Sequence, residues 1–169
     1  EAITQEIPTI GVTGTHGKTS STSMMVLALR AAGSDPSFVV GGEIVELRTN
    51  APAGRDDLVV LEIDEACGTF EYVRCAGLVL TNVEPEHLDH FKTAAAMEEA
   101  FTRVVRAVDG PVIACIDDPG AARIADRTGA VTYGTSERAQ WLMSQPVAGP
   151  ASVRFTLSGP DRPPVEIEV

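Results

Sequence analysis

Short apolar runs rich in β-branched residues alternate along the chain with stretches whose apolar positions recur every three and four residues. That is the pattern of a parallel sheet covered by helices. The runs predict strands over residues 9–13, 37–40, 58–63, 77–81, 111–116 and 130–133. Between the first two, Met25, Leu29 and Ala32 keep helical spacing over residues 18–32, with Gly33 and Pro36 beyond as a stop signal. A second helix over residues 94–108 aligns Met97, Phe101, Val104 and Val108 on one face. A third is predicted over residues 119–127, entered through Asp117-Asp118 and ended near Gly129. These stripes read as core packing rather than ligand sites.

The last thirty residues follow a different period. Residues 152–157 and 165–169 alternate like half-buried strands and are joined by a turn-rich stretch, so an antiparallel hairpin is predicted there. The fold class expected is therefore α/β: a mostly parallel sheet with helices on both faces, of the phosphate-loop nucleotide-binding type, closed by a small antiparallel hairpin. A length of 169 residues fits one domain. The chain starts without Met and stops inside a strand pattern, which points to a domain cut from something longer.

Composition narrows the classes further. A hydrophobic share of 44%, a charged share of 22% and scattered Gly and Pro exclude disorder, collagen and coiled coil. No apolar run approaches the roughly 18 to 20 residues that cross a bilayer, and no export leader is visible, so a cytoplasmic protein with no membrane partner is expected. Lys plus Arg number 13 against 24 Asp plus Glu, a net charge of -11, which excludes a general nucleic-acid binder. An anionic ligand would have to be attracted locally, by backbone N–H groups, a helix terminus, a few cations or a metal. The three cysteines, Cys67, Cys75 and Cys115, form no C-x-x-C pair and read as reduced thiols.

Three segments carry candidate chemistry. In Gly11-Val12-Thr13-Gly14-Thr15-His16-Gly17-Lys18-Thr19-Ser20, an apolar strand turns through glycines into a helix. Backbone N–H groups and the helix N-terminus of such a loop cradle phosphate oxygens, Lys18 adds a cation, and the Thr19 hydroxyl faces Mg²⁺. The spacing departs from G-x-x-x-x-G-K-[ST], because Val12 stands where the first Gly belongs. Next, residues 58–65 form an apolar strand ending in Glu62, Asp64 and Glu65. Ligands of an open parallel sheet gather at carboxyl strand ends, so Glu62 is placed to hold Mg²⁺, directly or through water. Last, residues 78–90 run from a third strand into Asn82, Glu84, Glu86, His87 and Asp89. His87 can approach the same ligand, with Mn²⁺ suiting it better than Mg²⁺. His90 has only a structural reading.

Together these residues resemble the central ATP-binding domain of the Mur ligases, which build the peptide stem of bacterial cell-wall precursors in an ATP-dependent way. Gly-Thr-His-Gly-Lys-Thr at 14–19, Glu62-Ile63-Asp64-Glu65, and Thr81-Asn82-Val83-Glu84-Pro85-Glu86-His87-Leu88-Asp89 carry the likeness. The segment at 35–43 with Asn50-Ala51, and the Asp117-Asp118-Pro119-Gly120 turn, look most like the alanine-adding branch. The resemblance implies that Gly14, Thr15, His16, Gly17, Lys18, Thr19 and Ser20 bind ATP, and that Thr19, Glu62 and His87 serve the metal ions. Lys18, Glu62 and His87 would be the catalytic set. It implies a ligase that phosphorylates the carboxylate of UDP-N-acetylmuramate and lets L-alanine attack the acyl phosphate. The family's amino-terminal UDP-binding and carboxyl-terminal domains have no counterpart here, so the isolated chain is expected to be inactive in ligation.

Two departures from the family pattern stand out. Family members of this type read Glu-Ala-Asp-Glu-Ser-Asp where this chain has Ala66 and Cys67 at the last two places. The lysine that some relatives modify to a carbamate is missing, with Phe101 and Thr102 near its place, as in the alanine-adding branch. The alternatives are a sibling that adds another amino acid or a recycled peptide, and a non-catalytic nucleotide-binding module. A generic phosphate-loop kinase or GTPase would need a base-recognition motif that the sequence lacks.

Overall fold

The computed structural model describes residues 2–66, 69–86 and 88–169. Its strands are β1 (Thr9–Thr13), β2 (Ser37–Val39), β3 (Val59–Glu62), β4 (Gly77–Leu80), β5 (Val112–Cys115), β6 (Val131–Gly134), β7 (Trp141–Ala148), β8 (Val153–Gly159) and β9 (Arg162–Glu168). The helices are α1 (Ala2–Glu6), α2 (Lys18–Ala31), α3 (Leu88–Phe91), α4 (Ala94–Arg106) and α5 (Pro119–Thr128). The strands form one nine-stranded sheet in the order β2-β3-β1-β4-β5-β6-β7-β8-β9. It is parallel from β2 through β7 and antiparallel from β7 to β9.

β1 lies between β3 and β4, with Gly11 opposite Leu61 on one side and Leu78 on the other. Its Val12 is fully buried, as a central parallel strand covered on both faces requires. The chain leaves β1 toward β2 and β3 and later returns on the other side to make β4. The strand order therefore reverses at β1, where an open α/β sheet forms a crevice beyond its carboxyl ends.

Side chains alternate across β3, so Val60 faces one core and Leu61 packs on the other. The smaller core joins α2 to the sheet through Val26, Phe38, Val40, Ile44 and Val60. The larger gathers Leu78, Leu80, Val112 and Ala114 beneath Met97, Phe101 and Val104 of α4 and Ile124 of α5. Phe70, from a 3-10 turn over Thr69–Tyr72, meets Phe91 and Phe101 edge-on at 6.2 and 5.1 Å. Helices thus cover both faces, as expected. Thr93 caps α4 by accepting from Ala96 N–H at 3.1 Å, and Asp118 caps α5 from Ala121 N–H at 2.7 Å with Pro119 in its first turn.

Four features differ from the sequence reading. The buried face of α2 is Thr22 and Val26, whereas Met25 and Leu29 are half-buried and Ala32 is exposed. Met24 to Leu29 is an unbroken apolar run, so spacing alone could not choose the face. Helices α1 and α3 are too short to show a period. β7 was not predicted, because Pro146 and a bulge between Ser144 and Val147 break its alternation, with Gln145 at φ 53°. The terminal hairpin is longer than its pattern, turning at Pro160-Asp161; Pro163 and Pro164 are accepted because β9 is the sheet's outer edge.

Candidate functional site

The loop between β1 and α2 is held from the side by the segment after β4. Gly14 (φ 138°) is tucked against Thr81 Oγ1 and the backbone of Asn82, where any Cβ would collide. Thr15 N–H donates to Asn82 O at 3.1 Å and His16 N–H to Asn82 Oδ1 at 2.7 Å, while Asn82 Nδ2 donates back to His16 O at 3.0 Å. Thr81 Oγ1 also donates to His16 O at 2.9 Å. The Thr15 hydroxyl accepts from Glu84 N–H at 2.9 Å and donates to Glu84 O at 3.3 Å. The backbone donors of Thr15 and His16 are thus spent within the protein.

From Gly17 onward the geometry changes. Gly17 adopts the left-handed conformation at φ 76° as the N-cap of α2, and no side chain caps the helix. A helix leaves its first N–H groups without intrahelical partners, so those of residues 17–20 project from this end as an anion-binding edge. Ser20 sits on the exposed first turn.

The side chains around that end form two pairs. Thr19 Oγ1 donates to Glu62 Oε1 at 2.8 Å, and the other carboxylate oxygen of Glu62 accepts from Gly41 N–H at 2.5 Å. Glu62 is thereby oriented by both neighbours at the tip of β3. Lys18 Nζ donates to Glu65 Oε2 at 2.8 Å and to Thr15 O at 3.2 Å. Glu65 is fully buried and Lys18 is 14% exposed. An ammonium carries three hydrogens, so Lys18 keeps one beyond these two bonds for a ligand.

Thr19 and Glu62 fit a magnesium ion: both are hard oxygen donors, 2.8 Å apart, at a solvent-facing edge beside an anion-binding helix end. Among the described residues no group of three His, Cys, Asp or Glu side chains is placed to hold a metal. Mg²⁺ takes one or two carboxylates and completes its shell with phosphate and water. Lys18, Thr19 and Glu62 are thus brought to one rim. His87 and Cys67 lie outside the described residues. His90 is exposed and packs edge-on against Phe91 at 4.8 Å, in keeping with its structural reading.

Along the same rim, His16 Nε2 stands 3.7 Å from Glu84 Oε2 and 4.0 Å from Glu86 Oε1. Asp117, past β5, accepts from Thr135 N–H and Oγ1 and from Ser136 N–H at 2.7, 2.9 and 3.1 Å. Burial alone would raise its pKa, but these donors outweigh it and hold the carboxyl below its ordinary value. The free thiols sit elsewhere: Cys75 is buried, which pushes its pKa up to about 11, and Cys115 is half-buried. A cavity of about 550 Å³ lined by Thr4, Pro8, Arg74, Cys75 and Asp109 lies at the opposite, amino ends of the strands. It has no helix N-terminus in its lining, so the anion-binding features of the rim are not repeated there.

Glu65 and Asn82 hold the loop and its lysine in place, and neither role was visible in the sequence. Glu65 was one carboxylate among three past a strand, and nothing in its spacing shows that it turns inward. The one usable hint was that a loop lysine held in place needs a counter-ion.

Residues 12–168 match the family model described as the Mur ligase middle domain, and the chain belongs to that family. The UDP-N-acetylmuramate–L-alanine ligase of Arthrobacter sp. (strain FB24) is 40% identical over 168 residues, covering 95% of this chain and 35% of the relative. Its counterpart in Renibacterium salmoninarum is 43% identical over 169 residues, covering 95% of this chain and 36% of the relative. The chain therefore spans little more than a third of the length of these curated relatives. Among solved structures, the UDP-N-acetylmuramate-alanine ligase MurC of Thermotoga maritima aligns with a TM-score of 0.84 at 23% identity, covering 98% of this chain and 37% of that one. The UDP-N-acetylmuramate:L-alanyl-gamma-D-glutamyl-meso-diaminopimelate ligase of Neisseria meningitides aligns at 0.79 with 25% identity over 92% of this chain and 53% of that one. The shared architecture is that of the family's parallel sheet with antiparallel strands at its carboxyl-terminal end.

Proposed function

We propose that the chain is the ATP-binding part of a longer cytoplasmic ligase that joins L-alanine to UDP-N-acetylmuramate in peptidoglycan precursor synthesis. The reading is carried by the uncapped start of α2, where the Thr19 hydroxyl and the Glu62 carboxylate meet at 2.8 Å with Lys18 beside them. The names of the relatives at 40 and 43% identity supply the substrates. The N–H groups of residues 17–20 hold the phosphates of ATP, and Gly14, Thr15 and His16, fixed by Asn82, give the loop its shape. Thr19 and Glu62 hold Mg²⁺, which neutralises charge on the phosphates when bound, and His87 takes the second metal position by family likeness. Lys18 lies against the β/γ-phosphates and stabilises the charge that gathers as the γ-phosphoryl group moves.

In this scheme the carboxylate oxygen of UDP-N-acetylmuramate bonds to the γ-phosphorus and ADP leaves. The amine of L-alanine then adds to the acyl carbon, loses its proton and expels inorganic phosphate. The parts of the enzyme outside this chain supply the UDP and amino-acid contacts. Full-length protein given ATP, Mg²⁺, UDP-N-acetylmuramate and single amino acids should release phosphate with L-alanine. Release with a different amino acid or a peptide instead assigns a sibling activity, and no release with any acceptor leaves a nucleotide-binding module.

A further inference from the structure

Resting on that nucleotide site, the geometry points to Glu65 as the residue that makes nucleotide binding depend on metal. We infer that Glu65 cancels the charge of Lys18 inside the loop, so that the metal–nucleotide complex, and not the free nucleotide, is the ligand.

Two observations carry this. First, the Lys18–Glu65 pair is close, at 2.8 Å, and Glu65 is wholly buried, so its charge is poorly screened by water and acts on the loop at nearly full strength. A free triphosphate approaching residues 17–20 therefore meets a lysine whose charge is already matched. Second, acidic side chains stand beside the loop among the described residues. Glu62 stands at the tip of β3 on Thr19, and Glu84 and Glu86 stand beside His16. The backbone N–H groups recognise phosphate shape, but the side chains repel its charge until a divalent cation arrives with it. A loop lysine without such a partner would attract the free nucleotide.

The test compares full-length protein and its Glu65→Gln and Glu65→Asp variants by calorimetric titration of ATP, once with EDTA and once with Mg²⁺. Glu65→Gln keeps an acceptor for Lys18 and removes the charge, so affinity for metal-free ATP should rise by about tenfold or more while MgATP affinity stays within about threefold. Glu65→Asp keeps the charge, so metal-free affinity should stay at the parent level. A purely structural role for Glu65 predicts loss in both titrations, and a folded Glu65→Gln with unchanged or weaker metal-free binding overturns the inference. So does a rise in Glu65→Asp equal to that in Glu65→Gln. If Glu65→Gln does not fold, the parent protein decides: the inference requires metal-free ATP to bind at least about 100-fold more weakly than MgATP, and affinities within about threefold overturn it. Absence of MgATP binding by the parent is a separate result, and it removes the nucleotide site itself.

Discussion

Lys18 pairs with a buried carboxylate, Glu65, and in the proposed function it also meets the phosphates of ATP. Its removal should therefore register in two measurements. If the proposed ligation holds, Lys18→Ala should slow turnover of the full-length protein by about 10²- to 10³-fold, the loss seen when one transition-state stabiliser is deleted. It should also destabilise the fold by about 3 kcal/mol, the low end for breaking a buried pair, because Glu65 is left without its ammonium and Lys18 itself keeps some exposure. The double variant Lys18→Ala/Glu65→Gln separates the two roles: urea midpoints should recover and phosphate release should not. Recovery of both would take Lys18 out of the chemistry, and no loss of stability in the single variant would mean that the pair contributes nothing to folding. Lys18, Thr19 and Glu62 could be singled out from the sequence because each stands at or just past a strand end, and the structure brings all three to one rim. It hid Asn82 as a clamp, since an amide that binds a backbone 66 residues away leaves no local pattern.

At the scale of elements, legibility tracked how local the determining physics is. α5 was readable because its boundaries are set within a few residues, by Asp118 and Pro119 at the start and by Gly129, at φ 72°, at the end. β7 was not, because what makes it a strand is pairing with β6 on one side and β8 on the other, across a bulge its own sequence disguises. Asp118 shows how such an element is tied to the site. Its Oδ1 accepts from Ala121 N–H at 2.7 Å and from Val83 N–H at 2.9 Å, so one oxygen both starts α5 and fixes the segment after β4 that clamps the loop. Asp118→Ala should cost about 1 to 2 kcal/mol for the cap, and more if Val83 N–H finds no water. Asp118→Asn, which keeps the acceptor, should cost less. Equal urea midpoints for Asp118→Ala and the parent would show that neither bond matters to stability.

Across the whole molecule, the sheet separates two cores of unequal size, and α2, which opens at the candidate site, packs on the smaller one. The face that holds α2 depends on Val26, Phe38, Val40, Ile44 and Val60, while the opposite face has the stacked phenylalanines and both α4 and α5. Local opening follows the density of buried apolar contacts, so α2, β2 and β3 should open at lower free energy than α4 and α5. The proposed ligand bridges those same weaker elements: the start of α2 through Thr19, the tip of β3 through Glu62, and the turn after β2 through Gly41. Occupancy by MgADP should therefore slow amide hydrogen exchange in α2 and β3. A concentration 100 times the dissociation constant raises the opening free energy by about 2.7 kcal/mol, or about 100-fold in rate. Amides of α4 and α5 whose openings leave the site intact should change little, whereas any that open only with the whole domain should slow by the same factor, because global unfolding releases the ligand too. Equal slowing in every element would mean that the two cores open together, and slowing confined to α4 and α5 would move the nucleotide to the other face of the sheet.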